Sequence, residues 1–181
     1  MRNALLGMII MLAAGQAMAQ GSPLDTKAAG MSTASAEDLV AVGDLFVEAM
    51  RLTEAKAAYK DALKLQKGYG EAEFGMARID MAKGKLEKSK KACRGVWRRN
   101  KSTSVGDVCS GWVWINFDRS ARAIEEFQKA IDKGDTARGQ TGMGEAQRRR
   151  GDGAIAISAY QKALSAGAGY VAQMGLGLAK E

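Results

Sequence analysis

With 181 residues, 46% apolar but only 6% aromatic side chains and a single proline, the chain has the make-up of alanine-rich packed helices, not of an all-β protein. Its formal net charge of +7 points to acidic protein faces, anionic lipid head groups or acidic polysaccharide as counterparts, or simply to a solvated basic surface. The absence of histidine removes the commonest general base, and two cysteines alone make neither a zinc site nor a recognisable nucleophile, so no enzyme activity, metal or cofactor is expected.

Residues 1–19 read as a secretory signal: Arg2 gives a positive start, Ala4 to Ala14 form an apolar run, and Ala17-Met18-Ala19 supplies an A-x-A cleavage site. The run is shorter than the roughly 20 residues a membrane-spanning helix needs, so no transmembrane segment is expected after cleavage. No cysteine follows the site, which argues against a lipoprotein anchor. The released protein would lose only Arg2 from its charge of +7, keep +6, and be periplasmic or secreted. Residues 20–35 are small and polar and read as a flexible lead-in.

Ser35 with Glu37 and Asp38 forms a capping-box pattern that opens the helical part, residues 36–181. A first unit, about 36–69, places Leu39, Val42, Gly43 and Phe46 on one helix face. Its second helix, opened by Thr53 as N-cap, carries Ala55, Tyr59, Ala62 and Leu63 and is closed by Gly68 and Gly70. The second unit, about 70–103, ends in a helix crowded with Lys85, Lys88, Lys90, Lys91, Arg94, Arg98 and Arg99. Trp97 falls there where the pattern wants a large aliphatic, so it is expected in the core, with the cations on a solvated outer face. The third unit, about 104–136, opens with Ser104 and Asp107 as a second cap and carries Val108, Gly111, Trp112, Trp114 and Ile115. In the fourth, about 137–170, Gly139, Gly142 and Gly144 share one helix at a cost of about 1 kcal/mol each against Ala, which makes it the softest expected. No strand precedes those glycines and no Gly-Lys-Ser/Thr follows, so they are not a phosphate loop. Residues 171–181 match the start of a further unit and read as a closing helix, though Met174, Leu176 and Leu178 leave it less polar than an end cap should be.

These units are copies of one another. Ala123-Ile124-Glu125-Glu126-Phe127-Gln128-Lys129-Ala130-Ile131 returns 33 residues later as Ala156-Ile157-Ser158-Ala159-Tyr160-Gln161-Lys162-Ala163-Leu164. It occurs 68 residues earlier as Ala55-Lys56-Ala57-Ala58-Tyr59-Lys60-Asp61-Ala62-Leu63, and in worn form from Ser89 to Trp97, with Cys93 in the aromatic slot. Upstream of each aromatic slot stands a second small residue: Gly43, Ala77, Gly111 and Gly144, spaced 34, 34 and 33. The pattern resembles the tetratricopeptide repeat, a helix–turn–helix unit of about 34 residues. The resemblance implies an all-α, right-handed α-solenoid of about four units over residues 36–170, followed by the closing helix.

In that family the first helices line a concave groove that holds peptide segments. Carried over, the groove positions are Glu37, Val40, Asp44, Val47 and Glu48, then Glu71, Phe74, Arg78, Met81 and Ala82. Val105, Val108, Trp112, Ile115 and Asn116 follow, then Arg138, Thr141, Glu145, Arg148 and Arg149, so the groove would run from acidic through apolar to basic. Phe74, Trp112 and Ile115 would form an exposed apolar patch, unless Trp112 and Ile115 pack against the lead-in or a neighbouring subunit. Val40, Phe74 and Val108 stand where the family's carboxylate-clamp subtype wants lysine or polar groups, which argues against recognition of an acidic C-terminus.

Cys93 and Cys109 fall on helices that pack directly on each other, so they either bridge or stay as two buried thiols; a bridge would add on the order of 3 kcal/mol. The function expected is a non-catalytic exported scaffold or adaptor that binds a protein or peptide, not nucleic acid, in settings such as envelope assembly, secretion or pilus biogenesis. Two other readings stand beside it. One is an envelope-surface protein that binds anionic polymer or lipid through the basic helix; the other is a structural module that forms homo-oligomers through its C-terminal helix.

Overall fold

The computed structural model describes residues 35–180, so the expected signal and nearly all of the lead-in lie outside the described residues. Among the described residues there are nine α-helices and no strand. The first helices of successive pairs are α1 (Ala36–Glu48), α3 (Gly70–Ala82), α5 (Val105–Asn116) and α7 (Thr136–Arg150). Their second helices are α2 (Leu52–Leu65), α4 (Leu86–Arg99), α6 (Ser120–Asp132) and α8 (Gly153–Ser165), and α9 (Tyr170–Leu178) comes last. Each helix packs on the next in the chain, and each first helix also touches the next first helix. The backbones of successive second helices stand farther apart than those of successive first helices. First helices therefore form the tight inner wall of a curved stack and second helices fan out on its convex side. The chain is an all-α helical-repeat solenoid.

The inner wall is tight because rings are pressed between glycines. Tyr59 lies between Gly43 of its own unit and Gly75 of the next; a Cβ on Gly43 would come within 2.5 Å of the ring and one on Gly75 closer still. Phe127 lies in the same way between Gly111 and Gly142, and Tyr160 between Gly144 and Gly175. All three rings are fully buried, with at most 1% exposure. At the remaining junction Cys93 stands in the ring's place and Cys109 in that of the second glycine, and the two are joined in a disulfide with Cα atoms 5.4 Å apart. A covalent bond thus replaces a ring seated on a glycine, which is why Ala77 is tolerated where the other units need Gly43, Gly111 and Gly144.

Gly139 and Gly142 are close-approach positions too, against Ile131 and Phe127, so the three glycines of α7 trade helix propensity for contact. The helix expected to be softest is the longest of those described, at 15 residues.

Several local expectations are corrected. The Ser35–Asp38 capping box forms on α1. The one expected at Ser104 does not, because Ser104 has helical backbone angles (φ −75°, ψ −20°) and its hydroxyl donates to Asp135 at 2.7 Å. Asp107, 1% exposed, is claimed instead by Lys133 at 2.6 Å. Thr53 is not an N-cap, since α2 begins one residue earlier at Leu52. The turn after α2 is made at Gly68 (φ 78°), whereas Gly70 is the first residue of α3 and packs on the Asn100 side chain. Trp97 is not core: it is 41% exposed, its Cα packed close to Gly106, and the equivalent Leu63, Ile131 and Leu164 are themselves only half-buried.

Candidate functional site

The inner wall encloses a groove of about 550 Å³. Asp44 of α1, Phe74 and Arg78 of α3, Val108 and Trp112 of α5 and Arg138 of α7 all line it, and the turn at Gly167–Gly169 with the start of α9 closes it. Val47, Glu48, Met81 and Thr141 line it as well, whereas the other ten expected positions (Glu37, Val40, Glu71, Ala82, Val105, Ile115, Asn116, Glu145, Arg148 and Arg149) do not. Val40 and Ile115 are buried at 9% and 1% exposure, Asn116 donates to the Trp112 carbonyl at 2.8 Å, and Arg148 and Arg149 bond to Glu145.

The expected exposed trio is likewise corrected. Ile115 lies in the core with Ala123, Phe127 and Ala146, and Phe74, 6% exposed, offers the groove only an edge. Trp112 alone of the three is half-buried, its ring set edge-on to Phe127 at 5.6 Å. The cause is curvature. Helical register places side chains on one face of one helix, but adjacent first helices touch and bury the flanks of that face.

Nor does the groove run from acidic to basic. Arg78 and the Tyr59 hydroxyl both donate to Asp44 at 2.6 Å. Arg138 spans from α7 back to α3, where its guanidinium bonds to both oxygens of Glu71 at 2.5 and 3.2 Å, and it also pairs with Asp135 at 2.6 Å. Glu145 accepts from Arg148 at 3.0 Å, Arg149 at 2.7 Å and the Tyr160 hydroxyl at 3.1 Å. Asp44 with Arg78 and Glu71 with Arg138, 34 and 67 residues apart, therefore neutralise one another between first helices, and Glu145 is neutralised within its own helix.

One rule joins these partners. Asp44, Arg78, Trp112 and Glu145 each follow the small residue of a first helix, and each stands 15 residues before the ring slot. Where the slot holds a tyrosine the residue is an acid that accepts the phenol; where it holds phenylalanine the residue is Trp112, ring against ring.

The protonation states follow. Burial, then the charge of Asp44, pushes the Tyr59 phenol far above its ordinary range, and burial with Glu145 does the same to Tyr160, so both remain donors. Burial alone would raise the Glu145 carboxyl, but the hydrogen bonds from Arg148 and Arg149 outweigh it and hold it below its usual value. Burial similarly works against the charge on Arg138, yet its bonds to Glu71 and Asp135 prevail and raise it. No group of three or more His, Cys, Asp or Glu residues able to hold a metal ion occurs among the described residues. None of the described helices is long and apolar enough to cross a membrane.

No protein-family model and no curated protein matches the sequence. Solved structures do match. TTC0263, a thermophilic tetratricopeptide-repeat protein of Thermus thermophilus, aligns over 99% of this chain and 98% of its own, with a TM-score of 0.64 at 16% identity. A tetratricopeptide repeat protein from Parabacteroides merdae aligns over 81% of this chain and 58% of its own (TM-score 0.62, 18% identity). PilW, a type IV pilus biogenesis factor, aligns over 72% and 61% (TM-score 0.54, 17% identity). This chain thus spans less than two thirds of the length of the last two. At these identities the likeness is one of fold.

Proposed function

We propose that this chain, whose fold is that of the tetratricopeptide-repeat proteins, is an exported, non-catalytic scaffold that holds a protein or peptide segment in its concave groove. The observation that carries the reading is the mismatch between the groove's charges and its floor. Arg78 is engaged with Asp44 and Arg138 with Glu71, while Trp112, Val47 and Val171 offer apolar surface inside a cavity of about 550 Å³. A site of that size and lining takes apolar side chains and orients them with a few polar groups. The segment it fits carries bulky apolar residues and no acidic terminus. Envelope assembly, secretion and pilus biogenesis are settings such a scaffold would serve.

Export rests on residues 1–19, and the Cys93–Cys109 bridge supports it, since disulfides persist in oxidising compartments. The mature protein is expected to begin at Gln20, which N-terminal sequencing of the extracytoplasmic fraction would show.

The groove is tested by capture from envelope extract with the wild type, Trp112→Ala and Lys60→Ala. Burying an indole contributes roughly 1.5–3 kcal/mol, so Trp112→Ala should weaken a specific partner by about 10- to 100-fold. Lys60→Ala, on the convex side, should change nothing. Equal retention of that partner by all three proteins, each shown by circular dichroism to be folded, would remove the groove as the site.

A further inference from the structure

We infer that the convex face of α4 is a second binding surface, separate from the groove, and that it takes a linear acidic polysaccharide. Lys91, Arg94 and Arg98 stand on successive turns of α4, opposite its buried Ser89, Cys93 and Val96. All three are exposed, and none has a carboxylate partner among the described residues. Beside this row lies a recess of about 260 Å³ between α4, α5 and α6, lined in part by Trp97, Trp114, Ser110 and Glu126. Trp97, at the rim, is 41% exposed with the Lys101 ammonium 5.7 Å from its ring. Lys90, which also lines the recess, stands 5.8 Å from the Trp114 ring, and Arg122 stands 5.0 Å from that ring.

The chemistry selects the occupant. A row of cations repeating once per turn, about 5.4 Å apart along the helix, complements a chain of regularly spaced negative charges better than a single anion. The recess itself is not cationic throughout. The Glu126 carboxylate lies in it, bonded to Lys129 at 2.7 Å, and the Ser110 hydroxyl already donates to the Gly106 carbonyl. The Glu126 carboxylate and the Ser110 oxygen accept hydrogen bonds from sugar hydroxyls, so the recess suits the neutral part of a sugar ring while the acidic groups of the polymer lie along the row of cations. The exposed Trp97 indole beside them supplies flat apolar surface on which the C–H face of a sugar ring can lie. A planar lipid surface could meet the row but could not enter the recess. The outer face of α2 shows the difference: Lys56, Lys60 and Lys64 repeat there just as regularly, with no tryptophan and with Lys64 tied to Asp61 at 2.7 Å.

The test uses polygalacturonate, a linear polymer of uronic acid, titrated into the full mature chain at 50 and 300 mM salt. Lys91→Glu with Arg94→Glu and Arg98→Glu should weaken binding at least tenfold. The same reversal at Lys56, Lys60 and Lys64 should weaken it less than twofold. Trp97→Ala should cost about three- to tenfold and keep that effect at 300 mM salt, where ionic attraction is screened. Trp112→Ala should leave polygalacturonate binding intact, which keeps this site distinct from the groove. Three results would each overturn the inference: equal losses from the two triple reversals, no effect of Trp97→Ala, or tighter binding to an oligothymidylate or to phosphatidylglycerol vesicles than to polygalacturonate.

Discussion

Cys93→Ala combined with Cys109→Ala should lower the free energy of unfolding by at least about 3 kcal/mol, read from urea unfolding with the slope fitted separately for each protein, since the freed unfolded chain exposes more surface. The two residues are 16 apart in sequence, and a cross-link closing a loop of that length contributes about 3 kcal/mol by restricting the unfolded chain. Packing adds to this. The three other junctions are filled by Tyr59, Phe127 and Tyr160, each seated on glycine, whereas here the sulfur atoms are the filling. Truncation to alanine removes them, and the gap costs further stability in proportion to its volume. Reduction of the wild type keeps both sulfur atoms in place and should cost less than the double alanine variant. A repair follows from the same geometry: Ala77→Gly, Cys93→Phe and Cys109→Gly together rebuild the arrangement around Phe127 and should recover more than half of the loss. A double alanine variant within about 1 kcal/mol of the wild type would show that the bridge does not replace the ring.

Much of this fold is legible because the repeat writes itself in small residues. Gly43, Ala77, Gly111 and Gly144 can be read by spacing alone, since close helix contact forbids a large side chain wherever a ring is to sit. The second series, Gly75, Cys109, Gly142 and Gly175, has the same period but is harder to see, because a cysteine interrupts its glycines. It emerges on asking what each ring meets on its far side, where the next unit begins. Its counterpart in α1 is Ala41, which is exposed and needs no glycine because no ring of a preceding unit stands against it among the described residues.

The groove is less legible. Register places Phe74, Trp112 and Ile115 on the inner faces of their helices, yet contact between neighbouring first helices buries Phe74 and Ile115 and leaves Trp112 half-open. How far a face is covered depends on the curvature of the stack, and curvature is set by many small side chains at once, not by any motif. Charge misleads for a related reason. Glu71 and Arg138 are 67 residues apart, two turns of the repeat, and only a tightly wound stack brings them to 2.5 Å. Trp97 shows the converse: a residue of core type is left 41% exposed in a slot where its equivalents Leu63, Ile131 and Leu164 are only half-buried.

Gly142→Ala should destabilise the protein by about 1–3 kcal/mol, although alanine is the better helix former by about 1 kcal/mol. The methyl group would fall on Phe127, which has 0% exposure and is held on its other side by Gly111, so the ring has nowhere to retreat. Within the well-packed stack the overlap must be relieved by spreading α7 from α6, and the loss should outweigh the gain in propensity. Gly177→Ala provides the control on the same chain. Gly177 is also helical and in register with Gly144, but nothing lies within 4 Å of where its Cβ would be. That substitution should be neutral or stabilising by up to about 1 kcal/mol. The two results together separate contact from propensity. A third variant isolates the contact itself: Phe127→Leu leaves a smaller side chain, and in that background Gly142→Ala should cost much less than in the wild type, a coupling visible in a double-mutant cycle. If Gly142→Ala and Gly177→Ala stabilised the protein equally, rings seated on glycine could not be what sets the spacing of the units.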